Sequence, residues 1–179
     1  MKRIPSKTLC IILHYGSRED TNNCLESLIG EDDLDIVVSD NDPTQAYAVP
    51  QKFNDNVKLV RTGGVAGFST GNNIAAKSFL SETHDSVLIL NNDTITNKNA
   101  VRLLRKVLFM EKVGAVGPCM PYADSPEKIW ACGGYINKWT LTVGGLQSKS
   151  RLPYEVDYLP GAAILCHEDI WKKIGGLPE

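Results

Sequence analysis

Thr8-Leu9-Cys10-Ile11-Ile12-Leu13-His14 is an apolar run without polar alternation, which is how a strand covered on both faces of a sheet reads. It predicts a first, central strand. The next stretch, Arg18 to Ile29, sets Cys24, Leu25, Leu28 and Ile29 at helical spacing behind Asp20 and Thr21, and Gly30 follows as a stop. Strand followed by helix opens an α/β unit.

The alternation continues outward from that unit. Strands are predicted at Asp35 to Ser39, Val57 to Arg61, Ser86 to Leu90 and Val113 to Val116, with helices at Thr70 to Leu80 and Asn99 to Met110. Strands alternating with helices argue for an α/β, three-layer Rossmann-like fold with a mostly parallel sheet. After Pro118 the texture changes. Pro121, Pro126, Gly133-Gly134, Gly144-Gly145 and Pro153 divide short segments such as Tyr135 to Asn137 and Leu141 to Val143, which predicts a small antiparallel C-terminal part. Val156 to Leu159 and Ala162 to Cys166 read as extended around Pro160-Gly161, and Glu168 to Ile174 as a helix ended by Gly175-Gly176.

Composition narrows the classes. The 179 residues are 42% hydrophobic, which supports the core of one domain. Nineteen basic residues stand against 21 acidic ones, so the positive field of a nucleic-acid binder is missing and no nucleic-acid partner is expected. The apolar run after Met1-Lys2-Arg3 stops at His14, too short for an export signal, and no run approaches the roughly 20 residues of a membrane span. A cytoplasmic protein, soluble or at most peripheral at the inner face of a membrane, is expected. Cysteines at 10, 24, 119, 132 and 166 are odd in number and lack C-x-x-C, implying neither a disulfide framework nor a zinc site.

In open α/β sheets ligands gather beyond the carboxyl ends of the strands. Three of those ends are polar: Ser39-Asp40-Asn41-Asp42-Pro43, Thr62-Gly63-Gly64 and Asn91-Asn92-Asp93-Thr94. The segment Gly63 to Asn73 is neither a dinucleotide nor a P-loop fingerprint. Its glycines let backbone approach a ligand closely, and the helix after it offers free N–H groups to a phosphate. Structural punctuation alone accounts for the glycines equally well. Asp93 places a carboxylate where it could hold a hard divalent cation bridging substrate phosphates.

With these blocks in order, the chain resembles the family-2 glycosyltransferases of GT-A type fold, and among them the rhamnosyltransferase-like members. The landmarks are Ile11-Ile12-Leu13-His14-Tyr15-Gly16, Val37-Val38-Ser39-Asp40-Asn41, Gly67-Phe68-Ser69-Thr70-Gly71-Asn72-Asn73, Leu90-Asn91-Asn92-Asp93, and Gly161-Ala162-Ala163-Ile164-Leu165 running to Gly175-Gly176-Leu177-Pro178-Glu179. The resemblance implies one glycosyltransferase domain over 1–179, with 1–118 binding the nucleotide-sugar donor and 119–179 beginning the acceptor side.

It also implies roles. Asp40 would accept the ring N–H of uracil or thymine, and His14 and Tyr15 would line the base pocket. Gly67, Asn72, Asn91, Asn92 and Asp93 would complete the donor-nucleotide site. Asp93 matches the last acidic residue of a D-x-D-like motif and would hold Mg²⁺ or Mn²⁺, with Asn91 standing where many relatives have Asp. Gly16 and Val65 stand where the family often has Asn. Gly161 and Ala162 align near the donor sugar and acceptor, and Trp130 and Trp139 are read as sugar platforms or packing residues. The implied activity is inverting transfer from dTDP-rhamnose or a UDP-sugar to a saccharide or lipid-linked acceptor, in bacterial surface polysaccharide synthesis. The general base of such enzymes is expected beyond Glu179, so the chain is read as C-terminally truncated.

Two alternatives stand beside that reading. One is a non-catalytic nucleotide-sugar-binding domain, because the base region is missing. The other is a sugar nucleotidyltransferase, although His14-Tyr15-Gly16-Ser17-Arg18 lacks the Gly-rich basic loop of that class. Both aspartates, Asp40 and Asp93, are expected to converge on one pocket.

Overall fold

The computed structural model describes residues 7–64, 66–146, 150 and 152–179. Met1-Lys2-Arg3 and Val65 lie outside them. In chain order the first elements are β1 (Lys7–His14), α1 (Arg18–Ser27), β2 (Leu34–Asp40), β3 (Val57–Arg61), α2 (Phe68–Phe79), β4 (His84–Asn91) and α3 (Ala100–Leu108). The remainder comprises β5 (Ala115–Val116), β6 (Met120–Pro121), β7 (Ile129–Ala131), β8 (Gly134–Ile136), β9 (Val143–Gly145), β10 (Ala163–His167) and α4 (Glu168–Ile174).

The main sheet runs β3-β2-β1-β4-β10-β5. β1 pairs in parallel with both β2 and β4, which makes it central as its unbroken apolarity requires. Its alternate side chains feed two cores. Cys10 and Ile12 join Leu25, Leu28 and Leu108 from α1 and α3, while Leu9 and Ile11 join Ala75, Ala76 and Trp171 from α2 and α4. Helices on both faces of a mostly parallel sheet give the three layers. At 25 cal/mol/Å² or so, a leucine buried as fully as Leu9 contributes about 2 kcal/mol.

Local chemistry starts the helices. Ser17 accepts the N–H of Asp20 at 3.1 Å and caps α1, with Glu19 and Asp20 favourably placed in its first turn. α2 begins two residues before the predicted Thr70, because extended Gly67 serves as its cap.

The C-terminal part departs from the expectation in three ways. β10 does not stay with the small strands. It inserts into the main sheet antiparallel to β4 and β5, with Ala163 opposite Leu90. Val156 to Leu159 forms no strand and makes only a bridge from Tyr158 to Gly134. Cys119 and Cys132 are joined in a disulfide beside the β6–β7 hairpin, a pair that the cysteine number and spacing do not imply. Cys10, Cys24 and Cys166 are free and buried.

Candidate functional site

The carboxyl ends of β1, β2, β3 and β4 lie along one edge. His14 is in register with Asp40 and Leu13 with Asn91, so the predicted groups on β2 and β4 flank β1, roughly 10 Å apart. The sheet therefore brings Asp40 and the Asn91-Asn92-Asp93 turn to the same edge. Thr94 N–H closes that turn on the Asn91 carbonyl at 3.2 Å, leaving Asp93 exposed.

Asp40 is 4% exposed. Its Oδ2 accepts the Tyr47 N–H at 2.9 Å and Arg61 Nη1 at 3.4 Å, and its Oδ1 accepts the Asp42 N–H at 3.3 Å. A carboxylate has about four acceptor positions, so these bonds leave one, on Oδ1. The Asp42 carboxylate ties the next loop to β1's end: it accepts from Gly16 N, Thr44 N, Thr44 Oγ1 and Gln45 N. The Thr44 hydroxyl, followed by those backbone N–H groups, holds Asp42 well below the usual carboxylate range.

His14 is buried, not open to a ligand. Its Nδ1 lies 2.7 Å from Thr21 Oγ1, its ring is tilted against Tyr47 at 4.6 Å, and its Nε2 has no partner. Burial lowers the His14 pKa, with Asp40 and Asp42 pulling against that and Arg18 reinforcing it. Tyr15, by contrast, is exposed. Asn92 Nδ2 donates to Thr21 Oγ1 at 3.0 Å, with Tyr15 O and Ser17 O also within reach. That side chain braces the β1–α1 loop against β4.

The Gly-rich loop is clamped from β2. Asn41 Nδ2 donates to Ala66 O, Thr62 Oγ1 donates to Asn41 Oδ1 at 2.6 Å, and Ser39 Oγ donates to Gly71 O at 2.8 Å. Gly64 has φ +76°, and a Cβ there would meet Pro43 Cβ at 2.6 Å, so only glycine fits this interlock of two loops. The α2 N-terminus has no side-chain cap, which leaves its first N–H groups available to an anion. Asn72 Nδ2 donates to Phe68 O at 2.9 Å, while its buried Oδ1 is unpartnered.

Gly161 and Ala162 reach the same edge. Asn91 N–H donates to Ala162 O at 2.9 Å, and Gly161 abuts the Phe68 ring. Among the predicted residues, His14 and Asn92 thus have internal partners, Asp40 has one acceptor position left, and Tyr15 and Asp93 face outward. Sequence does not mark Thr21, Tyr47 and Arg61, and it marks Asn41 and Asp42 only as part of a polar strand end, without a role. Asp42-Pro43-Thr44 carried a readable signal, since Asp side chains readily close such turns on their own backbone.

Two cavities lie elsewhere. One of about 620 Å³ is lined by Lys7, Leu28, Asp35, Phe53 and Val57 at the strands' opposite ends, and one of about 470 Å³ by Asn73, Trp171 and Glu179. Neither is lined by Asp40 or Asp93, although both residues stand at a common edge. Among the described residues no three His, Cys, Asp or Glu side chains are grouped to hold a metal. An exposed carboxylate beside amide oxygens suits a hard cation that takes its remaining ligands from phosphates and water.

A mannosyltransferase of Pyrobaculum calidifontis, in complex with GDP-Man and Mn²⁺, superposes with a TM-score of 0.67 at 15% identity, covering 97% of this chain and 48% of that one. The fold is of the GT-A type. The low-salt glycan biosynthesis hexosyltransferase Agl10 of Haloferax volcanii is 27% identical over 176 residues, 94% of this chain. The chain spans 55% of that relative's length. The 4-diphosphocytidyl-2C-methyl-D-erythritolsynthase of Anaerococcus prevotii matches at TM-score 0.50 and 12% identity, over 94% of this chain and 74% of that one. No family model matches.

Proposed function

We propose that the chain is the donor-binding part of a glycosyltransferase that takes a nucleoside-diphosphate sugar at the carboxyl edge of its sheet and transfers the sugar to a saccharide or lipid-linked acceptor. The observation that carries this is the conjunction, on one edge, of loops locked by Asn41, Asp42 and Asn92 with an uncapped helix and an exposed carboxylate. Preset polar loops are what a site needs to bind without reordering itself. The hexosyltransferase relative and the mannosyltransferase likeness support the class.

In this reading the last acceptor position of Asp40 takes a pyrimidine N–H, and exposed Tyr15 covers the base. The α2 N–H groups after Gly67 receive the diphosphate, and Gly161 and Ala162 leave room for the sugar beside Asn91. Asp93 would hold Mg²⁺ or Mn²⁺, which when bound offsets negative charge developing on the departing diphosphate. The finer proposals are a dTDP-rhamnose or UDP-sugar donor, inversion at the anomeric carbon, and a general base in sequence beyond Glu179. Nucleotidyl transfer shares the α/β layout, but His14-Tyr15-Gly16-Ser17-Arg18 after β1 supplies no Gly-rich basic loop to hold a triphosphate.

Calorimetry of the chain with UDP, dTDP and GDP, each with and without Mn²⁺, tests the proposal. Saturable binding strengthened by the metal is expected. Absence of binding in every combination would refute it.

A further inference from the structure

Thr21 lies in the first turn and a half of α1 and is fully buried. Its hydroxyl meets three partners: Ser17 O at 3.2 Å, His14 Nδ1 at 2.7 Å and Asn92 Nδ2 at 3.0 Å. A hydroxyl has one proton and two lone pairs. One arrangement uses all three contacts: Thr21 donates to Ser17 O and accepts from both His14 and Asn92. The neutral imidazole then carries its proton on Nδ1. The carbonyls of Tyr15 and Ser17, at 3.3 and 3.4 Å from Asn92 Nδ2, fix the orientation of that amide, since they attract a nitrogen and repel an oxygen.

The two donors come from opposite halves of the strand edge. On one side the His14 ring lies against Tyr47 at 4.6 Å, and the Tyr47 N–H is held by Asp40 Oδ2 at 2.9 Å. On the other side Asn92 immediately precedes exposed Asp93. The exit of β4 is laid along one face of α1, where Thr21, Cys24 and Ser27 follow each other at helical spacing. Cys24 Sγ donates to Asn91 O at 3.7 Å, Ser27 Oγ accepts the Thr96 N–H at 3.0 Å, and Thr96 Oγ1 donates to Ser27 O at 2.9 Å. Asp93 therefore projects from a turn fixed to α1 on both sides of it.

A helical threonine often bonds back to the carbonyl four residues earlier. That accounts for the Ser17 contact and for neither of the others. Packing at this position asks only for a β-branched side chain of the same volume, whereas joining two loops asks for a hydroxyl that receives a donor from each.

We propose that Thr21 is a positioning residue of the nucleotide site, its hydroxyl setting the Asp93 turn against the base end at Asp40 so that one ligand engages both. The role rests on the proposed nucleotide binding and adds to it a residue that itself contacts no ligand.

The test is calorimetry of the 179-residue chain with whichever of UDP, dTDP and GDP the parent binds most tightly, with and without Mn²⁺. The ratio of the two dissociation constants is the metal enhancement, measured for parent, Thr21→Val and Thr21→Ser well below each melting temperature so that lost stability does not enter. Thr21→Val keeps the branched shape but strands both donors, and its enhancement should fall about five- to tenfold. Thr21→Ser keeps the hydroxyl and gives up a buried methyl, so it should melt below the parent and retain the enhancement. Ring ¹H–¹⁵N correlations of His14 should show Nδ1–H in the parent and in Thr21→Ser. An enhancement equal in Thr21→Val and the parent, or lost alike in both variants, would overturn the role and leave nucleotide binding standing, and a His14 proton on Nε2 in the parent would overturn the bond arrangement it needs. A parent that binds no diphosphate, or binds it no better with Mn²⁺, would refute the proposed site and this role with it.

Discussion

Asp40 Oδ2 accepts the backbone N–H of Tyr47 at 2.9 Å, closing the loop after β2 back onto the strand that launched it. The ring of Tyr47 lies against His14, and its hydroxyl donates to Asn22 at 2.7 Å. One carboxylate thereby fixes the ends of β1 and β2 together.

Replacing Asp40 by Ala strands a buried N–H, which costs about 1–3 kcal/mol. The Arg61 contact adds little to that, since its guanidinium side chain is half exposed. A lower denaturation midpoint with unchanged m-value, together with weakened nucleotide binding, is the expected result. Full stability in Asp40→Ala would show that the Tyr47 bond is dispensable.

Gly64 and Gly30 make a controlled pair. Both have positive φ, but Pro43 crowds Gly64 while the space around Gly30 is open. Gly30→Ala should cost about 1–2 kcal/mol from backbone strain alone. Gly64→Ala should cost about 2–4 kcal/mol through added overpacking and should also weaken donor binding. Equal losses in thermal melts of the two variants would contradict the interlock.

Buried His14 makes stability depend on pH with a definite sign. Its folded pKa lies below the ordinary 6.5, mainly through burial, so below about that pH the unfolded chain binds more protons than the folded one. Stability should fall as pH drops from about 6.5 toward the folded value. His14→Phe should flatten that slope in denaturation measured across the range, and an unchanged slope would assign it to other groups.

The elements found by local pattern were the ones whose cause is local. β3 and α4 match their expected spans residue for residue, and β1 differs by one residue, because continuous apolarity and Gly stops are properties of the segments themselves. The place of β10 was illegible, since pairing Ala163 with Leu90 depends on residues far apart in sequence. The recurring polar strand ends do lie together along one edge. What their recurrence could not reveal is which side chains already have partners: Asn92 looked like a ligand group and braces Thr21, and His14 looked like a pocket wall and is enclosed. Likewise, five cysteines without spacing signals did not disclose that a hairpin sets Cys119 across from Cys132.

That disulfide closes a short loop, its ends 13 positions apart in sequence. Chain entropy puts its stabilisation at about 3 kcal/mol. Cys119→Ser with Cys132→Ser should therefore accelerate proteolysis within 119–132 and lower the melting temperature, and dithiothreitol should do the same to the parent but not to the double variant. Identical digestion of the parent with and without reductant would contradict it.

In the proposed function the carboxyl edge at Asp93, rather than either of the two cavities, receives the nucleotide and its cation. Paramagnetic broadening of amide resonances by Mn²⁺ in the presence of UDP or GDP tests this most directly. Broadening should centre on Asn91 to Thr94 and the start of α2, and should disappear in Asp93→Ala while the rest of the spectrum is retained. Broadening centred on Asn54 to Lys58 beside the larger cavity, or identical in Asp93→Ala, would contradict the account.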